Sequence, residues 1–357
     1  MKVLDRYLAN EILGGTLLVF SALIVLFAFF DLIHELGDLG KGGYGLVQVL
    51  AYVLLTIPGH VYELFPIAAL IGSLYALVQL AHNSELTVMR VSGFSTPRMA
   101  LSLLRIGLLF VLVNFVVGEF VAPYSERVAT QLRARAMSTV VAQEFKSGLW
   151  MKDGSSFVNV HEVLPDSTLV GIKIYEFDPS YNLRTISFAS EGKHIKDNNW
   201  RLTDVEQTHF EGSSVRVTRV AQAYWNSVLN PDMLSVLLVV PEQMSAWNLY
   251  FYVRHLHENK QQTSRYEIAL WSKFIYPMAV LVMMLLAVPF ALYQPRAGGI
   301  GGKVFGGIML GLAFHLLNRV FANLGLLQDW PPFFAAVFPT LFFLMVAVGM
   351  MAWMERR

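Results

Sequence analysis

The 357-residue chain contains no cysteine. That excludes disulfides, iron–sulfur clusters and thiol catalysis, and it says nothing about redox compartment. Charge is scarce too. Only 15% of residues are charged and 55% are hydrophobic, whereas a soluble domain carries about 25% charged residues. The formal net charge is +1 and no basic stripe stands out, so no nucleic-acid partner is expected. Catalytic signatures are missing. No HExxH, paired-carboxylate or nucleophile-elbow pattern occurs. His255 and His257 lie two apart, which puts them on different faces of a helix, and His161, His194 and His209 are scattered. The segment GGIGGK (298–303) approaches a phosphate-binding loop, but Ala297 stands at the leading position and Val304 where a magnesium-holding hydroxyl belongs. It reads as a flexible basic loop. The sequence therefore predicts no enzyme active site, metal or cofactor in this chain. If ATP and magnesium drive it, they belong to another polypeptide.

What the chain has is long apolar runs. The stretch at 12–36 is too long for a signal peptide and lacks a clean cleavage site, so it reads as a retained span. Residues 46–80 exceed the roughly 20 needed to cross a bilayer. Pro58 and Gly59 interrupt them, predicting an interfacial helix to Ile57, a break, and a second span at 64–80. A third runs over 101–121 and stops at Ala122-Pro123. Three more follow at 268–292, 304–324 and 333–353, with Trp330 and Trp353 where an aromatic belt would fall. The predicted class is an α+β membrane protein with three spans (1–122), a polar insert (123–266) and three more spans (267–357).

Lys2, Arg6, Arg90, Arg98, Arg105, Arg296, Lys303, Arg356 and Arg357 fall on one side, against Lys41 and Arg319 on the other. The positive-inside rule then predicts cytoplasmic termini and an insert outside the cytoplasm. Within the insert, 124–144 reads as helix with Arg133 and Arg135 exposed, and 245–261 as a returning helix. Between them SSFVNVHEV, TLVGIKIYEF, LRTISFASE, NWRLTDVEQTHFEG and VRVTRVAQAYW are β-rich or alternate apolar with polar. DGS, PDS, DPSYN, KDNN and EGSS mark the turns. Such spacing suggests a sandwich or jelly roll.

Three sets of residues are candidates for function. The loop at 84–93 reads as a short helix, with Asn83 or Ser84 as N-cap, Glu85 in the first turn and Gly93 as the stop. Leu86, Met89 and Arg90 share a face there. The helix either docks in a partner's groove or lies on the membrane. Ionisable groups near spans are functional candidates: Asp31, Glu35, Glu119, His315 and Arg319, with snorkelling as the plain alternative. Arg319 could pair with Asp31 or with an anionic head group. Gly302, Gly306, Gly307 and Gly311 form overlapping GxxxG steps, packing either within the chain or against a second subunit.

The start LDRY, the run IPGHVYELFPIAALIGSLYALVQLAHNSELTVMRVSGFS, the segments GEFVAP and GLWMKDGSSFVNV, and LWSKFIYPMAVLVMML together resemble the LptF/LptG family, permeases of the lipopolysaccharide exporter of Gram-negative bacteria. LDRY and GLWMKDG look more like its LptG side. The resemblance spans essentially the whole chain. It implies an ABC transporter of the inner membrane, in which an LptF-like partner and this chain sit on an LptB-like ATPase dimer. The helix with Glu85 would be its coupling helix. The insert would be a periplasmic jellyroll joined to LptC- and LptA-like ones on the way to the outer membrane. Lipopolysaccharide would enter beside the first and fifth spans. Some members carry lysines at the outer end of the first span, suited to lipid phosphate. This chain has Asp31, His34, Glu35 and Asp38 there, with Lys41 nearby and Arg133, Arg135 and Arg319 as substitutes. Two rivals are a secondary transporter, which calls for broken helices and midplane carboxylates, and a membrane-anchored periplasmic scaffold.

Overall fold

A computed structural model of the chain describes residues 2–137, 148–164, 168–178, 180–196, 199–211, 214–227, 240–258, 260–292 and 300–356. Six helices in it are long and apolar enough to cross a membrane, three before the insert and three after. α1 (Lys2–Leu36) starts well before the predicted span. Its polar first turns hold no Gly or Pro, and Leu8 and Ile12 are fully buried, so the helix continues through them. α2 (Leu46–His82) follows, then the short α3 (Glu85–Val91) and α4 (Thr96–Val116). The first turns of α1 and α3 lie at one end of the helix array, called here the terminal end; at the opposite end the segment after α1 meets the helix that leads into the insert.

The predicted break in α2 does not occur. Pro58 and Pro66 lie inside one continuous helix. A proline removes the donor for the carbonyl four residues back, here Leu54 and Tyr62, and its ring loosens that turn; neighbouring helices can bond the adjoining carbonyls and hold the turn in place. Ser125 donates its hydroxyl to the Leu55 carbonyl, three residues before Pro58. Tyr276 donates to the Glu63 carbonyl at 2.5 Å, three residues before Pro66. α2 is the centre of the helical domain, most of its apolar window being buried. Its main neighbours are α1 and three helices described below.

The predicted stop at Ala122-Pro123 is also passed. A π-helical turn (Val117–Val121) joins α4 to α5 (Ala122–Met137). Within it the Ala122 amide bonds to the Val117 carbonyl, five residues back. Pro123, which has no amide hydrogen, takes the next position, where its missing donor breaks no α-helical bond.

The insert is a six-stranded antiparallel sheet, β1 (Leu149–Asp153), β2 (Ser156–Val163), β3 (Leu169–Phe177), β4 (Leu183–Lys196), β5 (Asn199–Glu211) and β6 (Ser214–Asn226), in sequential order. Alternation sets the faces. Val158, Val160, Ile172, Ile174, Ala189 and Trp200 point into one core, against which Met151 of β1 and Trp225 of β6 both pack. The chain returns through a 3-10 turn (Pro241–Gln243) and α6 (Ala246–Glu258) to α7 (Ser264–Leu292), α8 (Ile300–Leu327) and α9 (Pro332–Glu355). α7 packs on α2, α4 and α9, while α8 touches α2 and α9 and leaves much of its surface uncovered. Gly298 and Gly299 of GGIGGK and the end of the predicted 124–144 helix fall outside the described residues; the other four residues of GGIGGK form the first turn of α8, where the sequence suggested a flexible loop.

Candidate functional site

At the terminal end, α3 is framed by turn chemistry. Gly93 has φ +88°, and the Gly93 and Phe94 amides return to the Arg90 and Met89 carbonyls, a C-terminal stop that only glycine makes cheaply. Ser84 holds the cap position at φ 61°, and its hydroxyl makes no capping bond. Glu85 instead accepts from Tyr7 Oη at 2.7 Å and from Asn83 Nδ2 at 3.3 Å. The predicted shared face divides. Leu86 and Met89 turn inward to the helical core beside Leu8 and Ile12. Arg90 faces outward with Thr87, Val88 and Val91, and the two valines are 65% and 85% exposed. A surface that a partner could cover is therefore Val88, Arg90 and Val91, with Leu86 and Met89 as its backing.

At the insert end, acidic side chains already hold two of the expected lipid-binding cations. Arg133 lies 3.3 Å from Glu35 and 2.5 Å from Asp38, over the Tyr52 ring. Lys41 Nζ bonds to Asp38 at 2.5 Å. Glu35 is 2% exposed and also accepts from the Tyr44 hydroxyl at 2.7 Å. Arg133 is thus half-buried, not exposed as the sequence suggested. The Lys41 ammonium, and then the Arg133 guanidinium, hold the Asp38 carboxyl below its ordinary value. Burial, and next the Glu35 carboxylate, pushes the Tyr44 hydroxyl up. Of the two readings of Arg319, a pair with Asp31 is not formed among the described residues. Asp31 meets His60 Nε2 at 2.5 Å and accepts from the Thr56 hydroxyl at 3.1 Å, because α1 lies against α2, where His60 and Thr56 line the contact. Arg135 is exposed and has no ion pair among the described residues. It lines an open, mostly apolar groove of about 500 Å³ with Gln48, Val128, Gln131, Leu132 and Ala136.

On α8, His315 is half-buried and Arg319 exposed, the latter without an ion pair among the described residues. The four glycines separate into two pairs. A Cβ on Gly307 or Gly311 would press on Leu74 or Ile67 of α2, at 2.7 and 2.8 Å, whereas nothing lies within 4 Å of Gly302 or Gly306. The first pair packs within the chain and the second is open.

Sequence reasoning named Glu119 but missed Lys273, its companion in a polar joint around the π turn. Lys273 of α7 is 5% exposed. Its ammonium donates to the Gly118 carbonyl at 3.4 Å and lies 4.8 Å from the centre of the Tyr62 ring. One residue on, Glu119 accepts from the Ala246 and Trp247 amides at 2.7 and 3.3 Å, placing a carboxylate on the N-terminus of α6. The spans are thereby tied to the helix that leads back from the insert. Lysine inside an apolar run was the signal for it. Among the described residues, no group of three or more His, Asp or Glu side chains could hold a metal ion.

Comparison with known proteins gives the framework for these parts. The profile described as lipopolysaccharide export system permease LptF/LptG matches residues 6–353. The chain is 33% identical over 351 residues to the lipopolysaccharide export system permease protein LptG of Escherichia coli K12, covering 98% of each chain. It is 33% identical over 347 residues to that of Haemophilus influenzae, covering 97% of each. Against the permease protein LptF of Escherichia coli K12 identity falls to 22% over 325 residues, with 88% of this chain and 85% of the relative aligned. With a profile matched over nearly its full length, six spans and a strand-built insert, this chain belongs to the LptF/LptG family of lipopolysaccharide export permeases.

Proposed function

We propose that the chain is the LptG-type permease subunit of an ABC-type lipopolysaccharide exporter, a transport subunit and not an enzyme. The observation that carries this is the match over residues 6–353, together with the higher identity to LptG than to LptF relatives. The physical task fits the parts. Each acyl methylene exposed to water costs about 0.8 kcal/mol, so drawing a lipid out of a bilayer needs an outside energy source and a continuous apolar path. The bare flanks of α1 and α8 offer the first stage of such a path, and the β insert offers the next.

On this reading the subunit sits in the inner membrane with cytoplasmic termini and a periplasmic insert. It pairs with an LptF-like permease and takes its motion from an LptB-like ATPase dimer that holds the ATP and magnesium. The outward face of α3, with Val88, Arg90 and Val91, meets that ATPase, and Glu85 orients the helix. Arg135, Arg319 and His315 contact the anionic cargo. LptC- and LptA-like jellyroll proteins receive it.

The test is co-purification from a tagged copy, comparing native protein with Val88→Asp and Val91→Asp. The native chain is expected to bring down an ATPase, a second permease and lipopolysaccharide. The variants are expected to lose the ATPase while keeping the second permease. Full ATPase retention in both variants would remove α3 from that interface.

A further inference from the structure

We propose that Tyr7 is a positioning residue for Glu85, so that movement of α3 is passed directly to α1. The proposal rests on the role of α3 in the preceding section and adds the element that receives its motion. The Tyr7 hydroxyl reaches a carboxylate oxygen of Glu85 at 2.7 Å, across 78 positions of sequence. Nothing local does this job. The Ser84 side chain makes no cap bond, and Asn83 reaches only the other carboxylate oxygen, at 3.3 Å.

The contact closes the edge of a packed unit. Beneath it, Leu8 and Ile12 of α1 share a core with Leu86, Met89 and Phe94. Beside it, Ser102 of α4 donates to Asp5 of α1 at 2.7 Å. The first turns of α1, all of α3 and the first turns of α4 are therefore held together. Further along, α1 presents Leu17, Leu18, Val25, Leu26, Phe29 and Phe30 to its surroundings. Its opposite flank lies against α2 and its far end is held through Asp31 and Glu35, so a push received at the grip is carried along the whole rod of α1 to its far end. The Tyr7 ring is itself 40% exposed, so its hydroxyl, more than its packing, is the part that acts.

The experiment uses the assembled transporter in lipid discs and reads lipopolysaccharide released per ATP hydrolysed, with subunit composition and thermal unfolding as controls. Tyr7→Phe is expected to assemble and unfold like the native complex and to hydrolyse ATP, yet to move roughly tenfold less lipid per ATP, the scale of a hydrogen bond to a charged group. Glu85→Gln is expected to do the same. The double variant should be no worse than Glu85→Gln alone, because both substitutions remove one shared contact. Native lipid per ATP in Tyr7→Phe, with a deficit in Glu85→Gln, would overturn the role of Tyr7 and leave that of α3 standing. Native values in both, with the ATPase still bound in Val88→Asp and Val91→Asp, would overturn the reading of α3 itself.

Discussion

The ammonium of Lys273 donates to the carbonyl of Gly118 at 3.4 Å, and the backbone around the π turn explains why it is there. The Ala122 amide is spent on Val117, and the following residue, Pro123, has no amide hydrogen. Lys273→Met should leave that carbonyl without a donor in an apolar interior, at a cost of about 1–3 kcal/mol. It should also loosen the Glu119 contact with α6. Thermal unfolding in detergent and hydrogen exchange over residues 246–250 check this. An unchanged midpoint with unchanged exchange would show that Gly118 has another donor.

Arg133 and Arg135 lie two positions apart and should behave oppositely. Arg133→Ala leaves Glu35, 2% exposed, with the Tyr44 hydroxyl as its remaining described partner. Breaking a buried pair in this way costs on the order of 3 kcal/mol, seen as a lowered unfolding midpoint. Arg135→Ala removes an exposed cation and should change stability by less than about 0.5 kcal/mol. Photocrosslinking of lipid to the groove near Gln131 should fall in that variant.

Gly311 and Gly306 offer a second contrast. Gly311→Leu forces α8 away from Ile67, an overpacking that costs about 1–3 kcal/mol. Gly306→Leu meets nothing in the chain and replaces a poor helix former with a good one. It should leave the purified subunit as stable as before, while reduced recovery of the second permease would show that this open pair packs between subunits.

The turn between β3 and β4 should respond to acid. Asp178 accepts from the Asn182 and Ser180 amides, each at 2.8 Å, and these bonds, those of Asn182 first, hold its carboxyl below the ordinary value of 3.8. A depressed folded-state pKa contributes stability above the unfolded value and loses it as pH falls through the folded one. The protection of the Asn182 amide, taken relative to its intrinsic exchange rate at each pH, should therefore hold above the ordinary value of 3.8 and fall as pH drops below it. In Asp178→Ala, exchange at this amide should be fast already at neutral pH and gain no such acid step.

The fold was legible where the signal is local. Run length marked the spans, alternation marked the strands, and Gly93 marked the end of α3. What could not be read depends on groups far away in sequence. Pro58 looks like a break because local rules count only the bonds it removes, and the hydroxyl of Ser125 comes from another helix. Arg133 looks like a free cation until α1 brings Glu35 and Asp38 beside it. Leu86 and Met89 share a helical face with Arg90 by spacing, yet the side on which the core lies decides which of them a partner can touch. Lys273 is hidden by its own neighbours, since a single lysine barely lowers the apolar character of its run.

The outermost strands of the insert come close to each other. Ser227, just past β6, donates to Asp153 at the end of β1 at 2.6 Å, and Met151 and Trp225 from those two strands share one core. Among the described residues no backbone ladder joins them. The two edges of the sheet thus meet without a strand pairing, and the six-strand ladder keeps its own hydrogen bonds whether or not this seam is closed. On the function proposed above, a seam of this kind would admit an acyl chain from the side and spare a bulky, branched sugar from being threaded through a closed ring.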